Sequence, residues 1–251
     1  STEQGHAMGY IPSPIQQEVH VPRMRLAASP TDSKYDMRDP NNDGDDSDSL
    51  LSAVRNQGGC GACWAFATYG ALEGHVKQTL GMVEDYSEDN LKHLAGFDWG
   101  PCDGGNLDMS TAYLSRLSGP ISEADDPYDQ SASSDYCTDC DPVRYVDNVV
   151  WLPTRSAVTD NAYIKQALVQ YGGLHTSYYH SDTYYSGSPN YTYYYSGSNS
   201  TNHAVVIVGW DDDKEVAGAP GNGAFIVRNS WGSWWGDGGY FYVSYYDEKF
   251  A

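Results

Sequence analysis

Gln57-Gly58-Gly59-Cys60-Gly61-Ala62-Cys63-Trp64-Ala65-Phe66 is the stretch on which the reading of the fold turns. A glycine-rich turn feeds a segment in which Trp64, Ala67, Ala71, Leu72, Val76 and Leu80 recur at spacings of three and four, the mark of a buried helix beginning near Cys63. A cysteine on the first turn of a helix faces unpaired N–H groups and the positive end of the dipole, which favour thiolate over thiol. Cys63 is therefore a candidate nucleophile. Downstream, Asn202-His203-Ala204-Val205-Val206 sets a histidine at the start of an apolar strand, and Arg228-Asn229-Ser230-Trp231-Gly232 sets an asparagine at the end of another. Acyl transfer through a thiol needs an imidazole, a group that orients it and donors for an oxyanion. All of these residue types are present.

Around this stretch the grammar is first helical. Ser87 caps a short helix with Glu88 and Asp89 in its first turn, and Asn106 caps another running to Leu117, stopped by Gly119-Pro120. Thr159 or Asp160 opens a further helix to Tyr171, closed by Gly172-Gly173. Beyond it, 204–210, 224–228 and 240–246 are rich in β-branched and aromatic residues between glycine-rich turns and read as strands. A helical half followed by a sheet half makes the fold class α+β. The tyrosine-rich stretch 178–200 decorates strands and long loops, and no internal repeat is present. Residues 1–30 are polar and dotted with prolines, which favours an extended lead segment. Residues 1–8 hold no apolar signal-peptide core.

The chain has 251 residues, room for one or two domains. Its formal net charge is −20, which leaves nothing basic to track phosphates and excludes a nucleic-acid partner. No apolar run approaches the ~18 residues a membrane-spanning helix needs, so a membrane span is excluded. Abundant aspartate and scarce lysine suit an extracellular or cell-surface setting. The cysteines are Cys60, Cys63, Cys102, Cys137 and Cys140, an odd number. Two disulfides and one free thiol is the simplest oxidised arrangement, and four zinc thiolates from the two C-x-x-C pairs is its competitor.

At this point the chain resembles the papain-like cysteine peptidases. The resemblance is carried by Gln57 with Cys60-Gly61-Ala62-Cys63-Trp64-Ala65-Phe66, by Cys102-Asp103-Gly104-Gly105, by Asn202-His203-Ala204, and by Asn229-Ser230-Trp231-Gly232-Ser233-Trp234-Trp235-Gly236-Asp237-Gly238-Gly239-Tyr240. The order Cys63, His203, Asn229 and its separations of 140 and 26 residues fit as well. The resemblance implies a papain-like two-lobed fold for residues 31–251. A helical lobe, mainly 50–145, and an antiparallel β-barrel-like lobe, mainly 146–251, flank the cleft. It implies a Cys63 thiolate paired with a His203 imidazolium, Asn229 holding the imidazole under Trp231, and an oxyanion hole made by the Gln57 side chain and the Cys63 N–H. Gly105 then pairs with an extended substrate, while Leu107 and Ala204 wall a pocket for an apolar residue two positions before the cut.

The resemblance also pairs Cys60 with Cys102 and leaves Cys63 free. Cys137 and Cys140 have no family equivalents; a local bridge is expected, with free thiols or a metal pair as the alternatives. Asn202 stands where an aspartate often precedes the histidine, which removes a carboxylate from the site and should alter the pH profile. Trp234 and Trp235 are expected mainly in packing, and His6, His20, His75, His93, His175 and His180 receive no functional reading.

Two features lie outside the resemblance. Asp39, Asn41, Asp43 and the backbone oxygen of Asp45, with Gly44 at the turn, imitate the first half of an EF-hand loop. Leu50 occupies the place of the bidentate Glu, which excludes a true EF-hand; Asp46 or Asp48 can supply the ligand, so a structural calcium ion and a solvated loop both stay open. Residues 1–30 precede the expected start of the domain and read as a short pro-segment restraining the cleft, or as a linker. The expectation is a secreted endopeptidase, a monomer acting on peptides or proteins with no cofactor in catalysis. The alternatives are a catalytically silent binding or adhesion module and a transpeptidase or ligase using the same nucleophile. The intact catalytic set argues against the silent module.

Overall fold

The computed structural model describes residues 1–15 and 32–251; half of the lead segment, His20 included, lies outside the described residues. Among the described residues four α-helices form: α1 (Cys63–Leu80), α2 (Glu88–Leu94), α3 (Leu107–Ser115) and α4 (Ala162–Tyr171). Two begin at the caps the sequence indicates. Ser87 Oγ accepts the Asn90 N–H at 2.9 Å, and Asn106 Oδ1 accepts those of Asp108 and Met109 at 3.1 and 3.2 Å. The fourth starts later than Thr159 or Asp160. Asn161 precedes it without capping it, because Asn161 Oδ1 accepts instead from Arg155 Nη1 at 3.1 Å. No helix among the described residues is long and apolar enough to cross a membrane.

The strands are β1 (Lys34–Asp36), β2 (Leu174–Tyr178), β3 (Tyr185–Ser186), β4 (Thr192–Tyr193), β5 (His203–Asp211), β6 (Ala224–Arg228) and β7 (Tyr240–Ser244). They join in the order β1-β5-β6-β7-β4-β3, with β2 also on β5. All pairings are antiparallel except β4 on β7, which is parallel, and the sheet does not close on itself.

Strand β5 is buried from His203 to Trp210 because both its faces carry core. Ala204, Val206 and Val208 pack with Trp64, Ala67 and Met109 on the α1 side, while Val205 and Ile207 pack with Ile164, Phe225 and Phe241 on the other. Strict alternation would send Trp210 to the α1 side. A bulge between Ile207 and Gly209 shifts the register and delivers it to the second core. The lobes are fastened below the cleft by Arg228, which donates to Ser52 Oγ at 2.9 Å and to the Ala53 carbonyl. Ser52 in turn bonds the buried Glu73 of α1.

Past β7, Asp247 is fully buried and accepts the N–H groups of Tyr195 and Lys249 at 3.1 and 2.9 Å. Burial outweighs those bonds and pushes its carboxyl up to about 7. The folded protein thus keeps a proton that the unfolded chain has already lost, so this group's contribution to stability is full below about pH 4 and is lost as pH rises through about 7. The melting temperature of Asp247→Asn should therefore vary less between pH 4 and pH 7 than that of the parent, as read by thermal denaturation across that range.

Candidate active site

Helix α1 and strand β5 meet at their N-terminal ends. Cys63 is the first residue of α1, buried and free. Its Sγ accepts the N–H of Ala204 at 3.4 Å, which sets the sulfur beside the residue that follows His203. His203 Nε2 lies 2.8 Å from Asn229 Oδ1, and the same oxygen accepts the Ser230 N–H at 2.8 Å. An amide oxygen can only accept, so the ring carries its proton on Nε2 and leaves Nδ1 bare. That Nδ1 is buried and has no partner among the described residues. The Trp231 indole stacks on the His203 ring at 4.6 Å and 22° and shuts water from the pair.

Gln57 is buried in the turn ahead of α1. Ser230 Oγ donates to its Oε1 at 2.6 Å and so fixes which way the amide points. The Nε2 end donates to the Cys60 carbonyl at 2.9 Å and to the Ala7 carbonyl at 3.2 Å. A peptide carbonyl of the chain itself is therefore bound by one of the two donors expected for an oxyanion.

That carbonyl belongs to a segment running the length of the cleft. His6 stacks on Trp231 at 5.0 Å and 9° and leans on Trp234 at 5.1 Å. The Gly9 N–H donates to the thiol sulfur. Tyr10 forms a parallel bridge with Gly105: the Gly105 N–H donates to the Gly9 carbonyl at 2.8 Å, and the Ile11 N–H to the Gly105 carbonyl at 3.0 Å. The Tyr10 N–H donates to the Asn202 carbonyl at 3.1 Å. Glycine is needed on both sides of this contact. A Cβ at Gly9 would fall 2.0 Å from the Gly61 carbonyl oxygen, and one at Gly105 would fall 2.5 Å from the Trp64 ring.

Under this cover, burial pushes the Cys63 thiol up to about 11 against the pull of N–H groups from Ala204, Gly9, Trp64 and Cys63 itself. Burial likewise pulls His203 down to about 3, with the Asn229 bond opposing. Desolvation thus overrides the helix-end effect, and the covered pair is a neutral thiol and a neutral imidazole.

The remaining expected residues are placed as follows. Cys60 is bridged to Cys102, and Cys137 to Cys140. Leu107 opens α3 and lines a cavity of about 540 Å³ with Leu72, Leu114, Trp151 and Leu174; Ala204 is not among its walls. In the acidic loop the Asp39 carboxylate accepts the N–H groups of Asp43 and Gly44 at 3.1 and 3.0 Å, Asp43 accepts that of Asp45 at 2.9 Å, and Asp45 that of Ser47 at 2.8 Å. Asn41 bonds Asp48. The loop's oxygens are turned onto its own backbone and side chains, and no group of three or more His, Cys, Asp or Glu among the described residues is arranged to hold a metal ion.

Sequence reasoning passed over several residues. Ser230 lies inside a quoted motif, but nothing in the motif shows that its hydroxyl orients Gln57. Trp234 is not core: it is 66% exposed and reaches His6. His180 is 2% exposed and lies 6.2 Å from His203, ring centre to ring centre.

A sequence model of the papain family cysteine proteases matches residues 32–249. Cysteine proteinase 3 of Entamoeba histolytica is 32% identical over 208 residues, covering 78% of this chain and 60% of that protein. Pro-cathepsin H of Mus musculus is 32% identical over 203 residues, covering 77% and 56%. The chain thus spans little more than half the length of these relatives. Among solved structures, the cysteine protease and lectin-like domains of Cwp84, a surface layer associated protein of Clostridium difficile, superpose with a TM-score of 0.80 at 26% identity, over 99% of this chain and 54% of that one.

Without reductant, iodoacetamide should modify Cys63 alone among the five cysteines. Peptide mapping by mass spectrometry should find this at least about tenfold slower in the folded chain than in the unfolded one. The folded rate should keep climbing as pH approaches the thiol's value of about 11.

Proposed function

The chain belongs to the papain family of cysteine proteases, and from that premise we propose that it is an endopeptidase that cuts peptide bonds through a thioester formed on Cys63. The observation that carries this reading is the Ala7 carbonyl held by Gln57 Nε2 at 3.2 Å while the neighbouring backbone pairs with Gly105. The cleft holds an extended segment, with one carbonyl on the Gln57 side chain and a neighbouring N–H on the Cys63 thiol, which supports a site for an extended peptide.

In the open cleft the proton of Cys63 passes to His203, giving thiolate and imidazolium. The thiolate attacks the scissile carbonyl carbon, and the oxygen takes the charge under the Gln57 side-chain N–H and the Cys63 N–H. The imidazolium gives its proton to the leaving amine as the C–N bond breaks and the thioester forms. Neutral His203 then takes a proton from water, which attacks the thioester and releases the acid and the sulfur. Asn229 keeps the ring in plane through both steps, and Trp231 shields that bond. An apolar side chain two residues before the cut is received beside Leu107 at the start of α3. The acidic surface and the two disulfides support an extracellular setting.

The lead segment restrains this chemistry. A substrate whose residues before the cut lie on Gly105 would place its later residues at Trp231. The segment does the reverse, with His6 at Trp231 and Tyr10 at Gly105. It fills the cleft with its peptide bonds directed the wrong way for attack.

Incubation with a peptide library should show cleavage by the full chain that falls by about 10⁴-fold or more in Cys63→Ala. Cleavage retained by that variant sinks the reading. Gly9→Ala, whose new methyl group collides with the Gly61 carbonyl, should raise the cleavage rate by about tenfold or more, the effect of losing about 1.4 kcal/mol of docking. An unchanged rate means that the segment does not restrain the enzyme.

A further inference from the structure

His180 takes no part in the chemistry above, yet it is built into the wall of the site. It follows β2, and its ring meets the Trp231 indole edge-on at 4.9 Å, stacks with Tyr193 at 5.6 Å and stands 6.2 Å from His203. Both ring nitrogens are engaged, Nδ1 with the Tyr178 hydroxyl at 2.8 Å and Nε2 with Asp182 Oδ1 at 3.1 Å. Its main chain is clamped by Asn202, the residue before His203. Asn202 Oδ1 accepts the His180 N–H at 2.7 Å, and Asn202 Nδ2 donates to the His180 carbonyl at 3.0 Å. A carboxylate could make only the first bond and would face the carbonyl with its second oxygen. This accounts for an amide at position 202.

Resting on the catalytic reading above, we propose that His180, held by Asp182, is a positioning residue for His203, and that proton uptake by His180 sets the acid limb of the activity. The groups facing His180 are Tyr178, Tyr193, Trp231, His203, Asp182 and, from the lead segment, His6. Burial holds His180 below the usual histidine range, Asp182 favours its cation, and His6 opposes it. A cation on His180 repels a second one on His203, so the His203 proton returns to the Cys63 sulfur and the active ion pair is lost. Neutral His180 instead leaves the imidazolium in place and braces the indole that covers it.

The test uses the full chain carrying Gly9→Ala and compares it with the same chain carrying also His180→Phe, His180→Gln or Asp182→Asn. Peptide hydrolysis and Cys63 alkylation by iodoacetamide are followed against pH, with melting curves for each variant. In both His180 variants the acid limb should move by about one pH unit to lower pH, the size expected for removing a unit charge at this separation. Asp182→Asn should move it the same way, because His180 then takes its proton only at lower pH. His180→Gln keeps partners for Tyr178 and Asp182, and Asp182 is partly exposed, so these two variants read the effect even if His180→Phe folds poorly. Acid limbs that superimpose on that of Gly9→Ala overturn the proposal, as do lower rates with no movement of the limb. A Gly9→Ala chain with neither hydrolysis nor Cys63 alkylation overturns the catalytic reading itself.

Discussion

The contact between the Ala204 N–H and the Cys63 sulfur joins the first residue of a helix to the second residue of a strand from the other half of the chain. Everything chemical in the molecule depends on the two ends meeting there. Helix α1 packs along β5, so the helix start and the strand start arrive side by side, and β6 pairs with β5 so that Asn229, just past β6, comes within hydrogen-bond reach of His203. Arg228, one residue earlier, ties the sheet to the chain entering the helix through Ser52 and Ala53. Position at the site is thus set by the sheet register and by one buried guanidinium.

Much of this was legible in the sequence. The 3.6-residue period from Cys63, the caps Ser87 and Asn106, and the apolar runs 204–210 and 224–228 state local preferences strong enough to survive folding. The short strands β1, β3 and β4 were not legible, because two- or three-residue pairings follow from neighbours and leave no pattern of their own. The helix expected from Thr159 or Asp160 starts at Ala162: Ser156 takes the Asp160 carboxylate and Arg155 the Asn161 side chain, contacts across four and six residues that no propensity encodes. At the site, Cys63, His203, Asn229 and Gln57 were visible as residue types at fixed spacing. Ser230, His180 and His6 were not, since their parts follow from distances between remote segments.

The charge state of the central pair shows how two sound arguments can oppose each other. A helix start favours thiolate, and four N–H groups from Ala204, Gly9, Trp64 and Cys63 do surround the sulfur. The same packing that brings those donors expels water, and inside the covered cleft the loss of hydration is the larger effect. Where residues 6–11 cover the sulfur, the neutral form of the pair is therefore the favoured one.

The two sulfur bridges stand differently toward the medium. Cys60 is sealed at 0% exposure against the turn that carries Cys63, with its partner Cys102 only partly buried, whereas Cys137 and Cys140 are both only partly buried in a surface loop. Thiol–disulfide exchange needs access to only one sulfur, so the inner bridge is reached through Cys102 and the surface bridge through either end. A reductant that reaches Cys63 therefore meets two bridges of unequal shielding, one with a sealed sulfur and one with none.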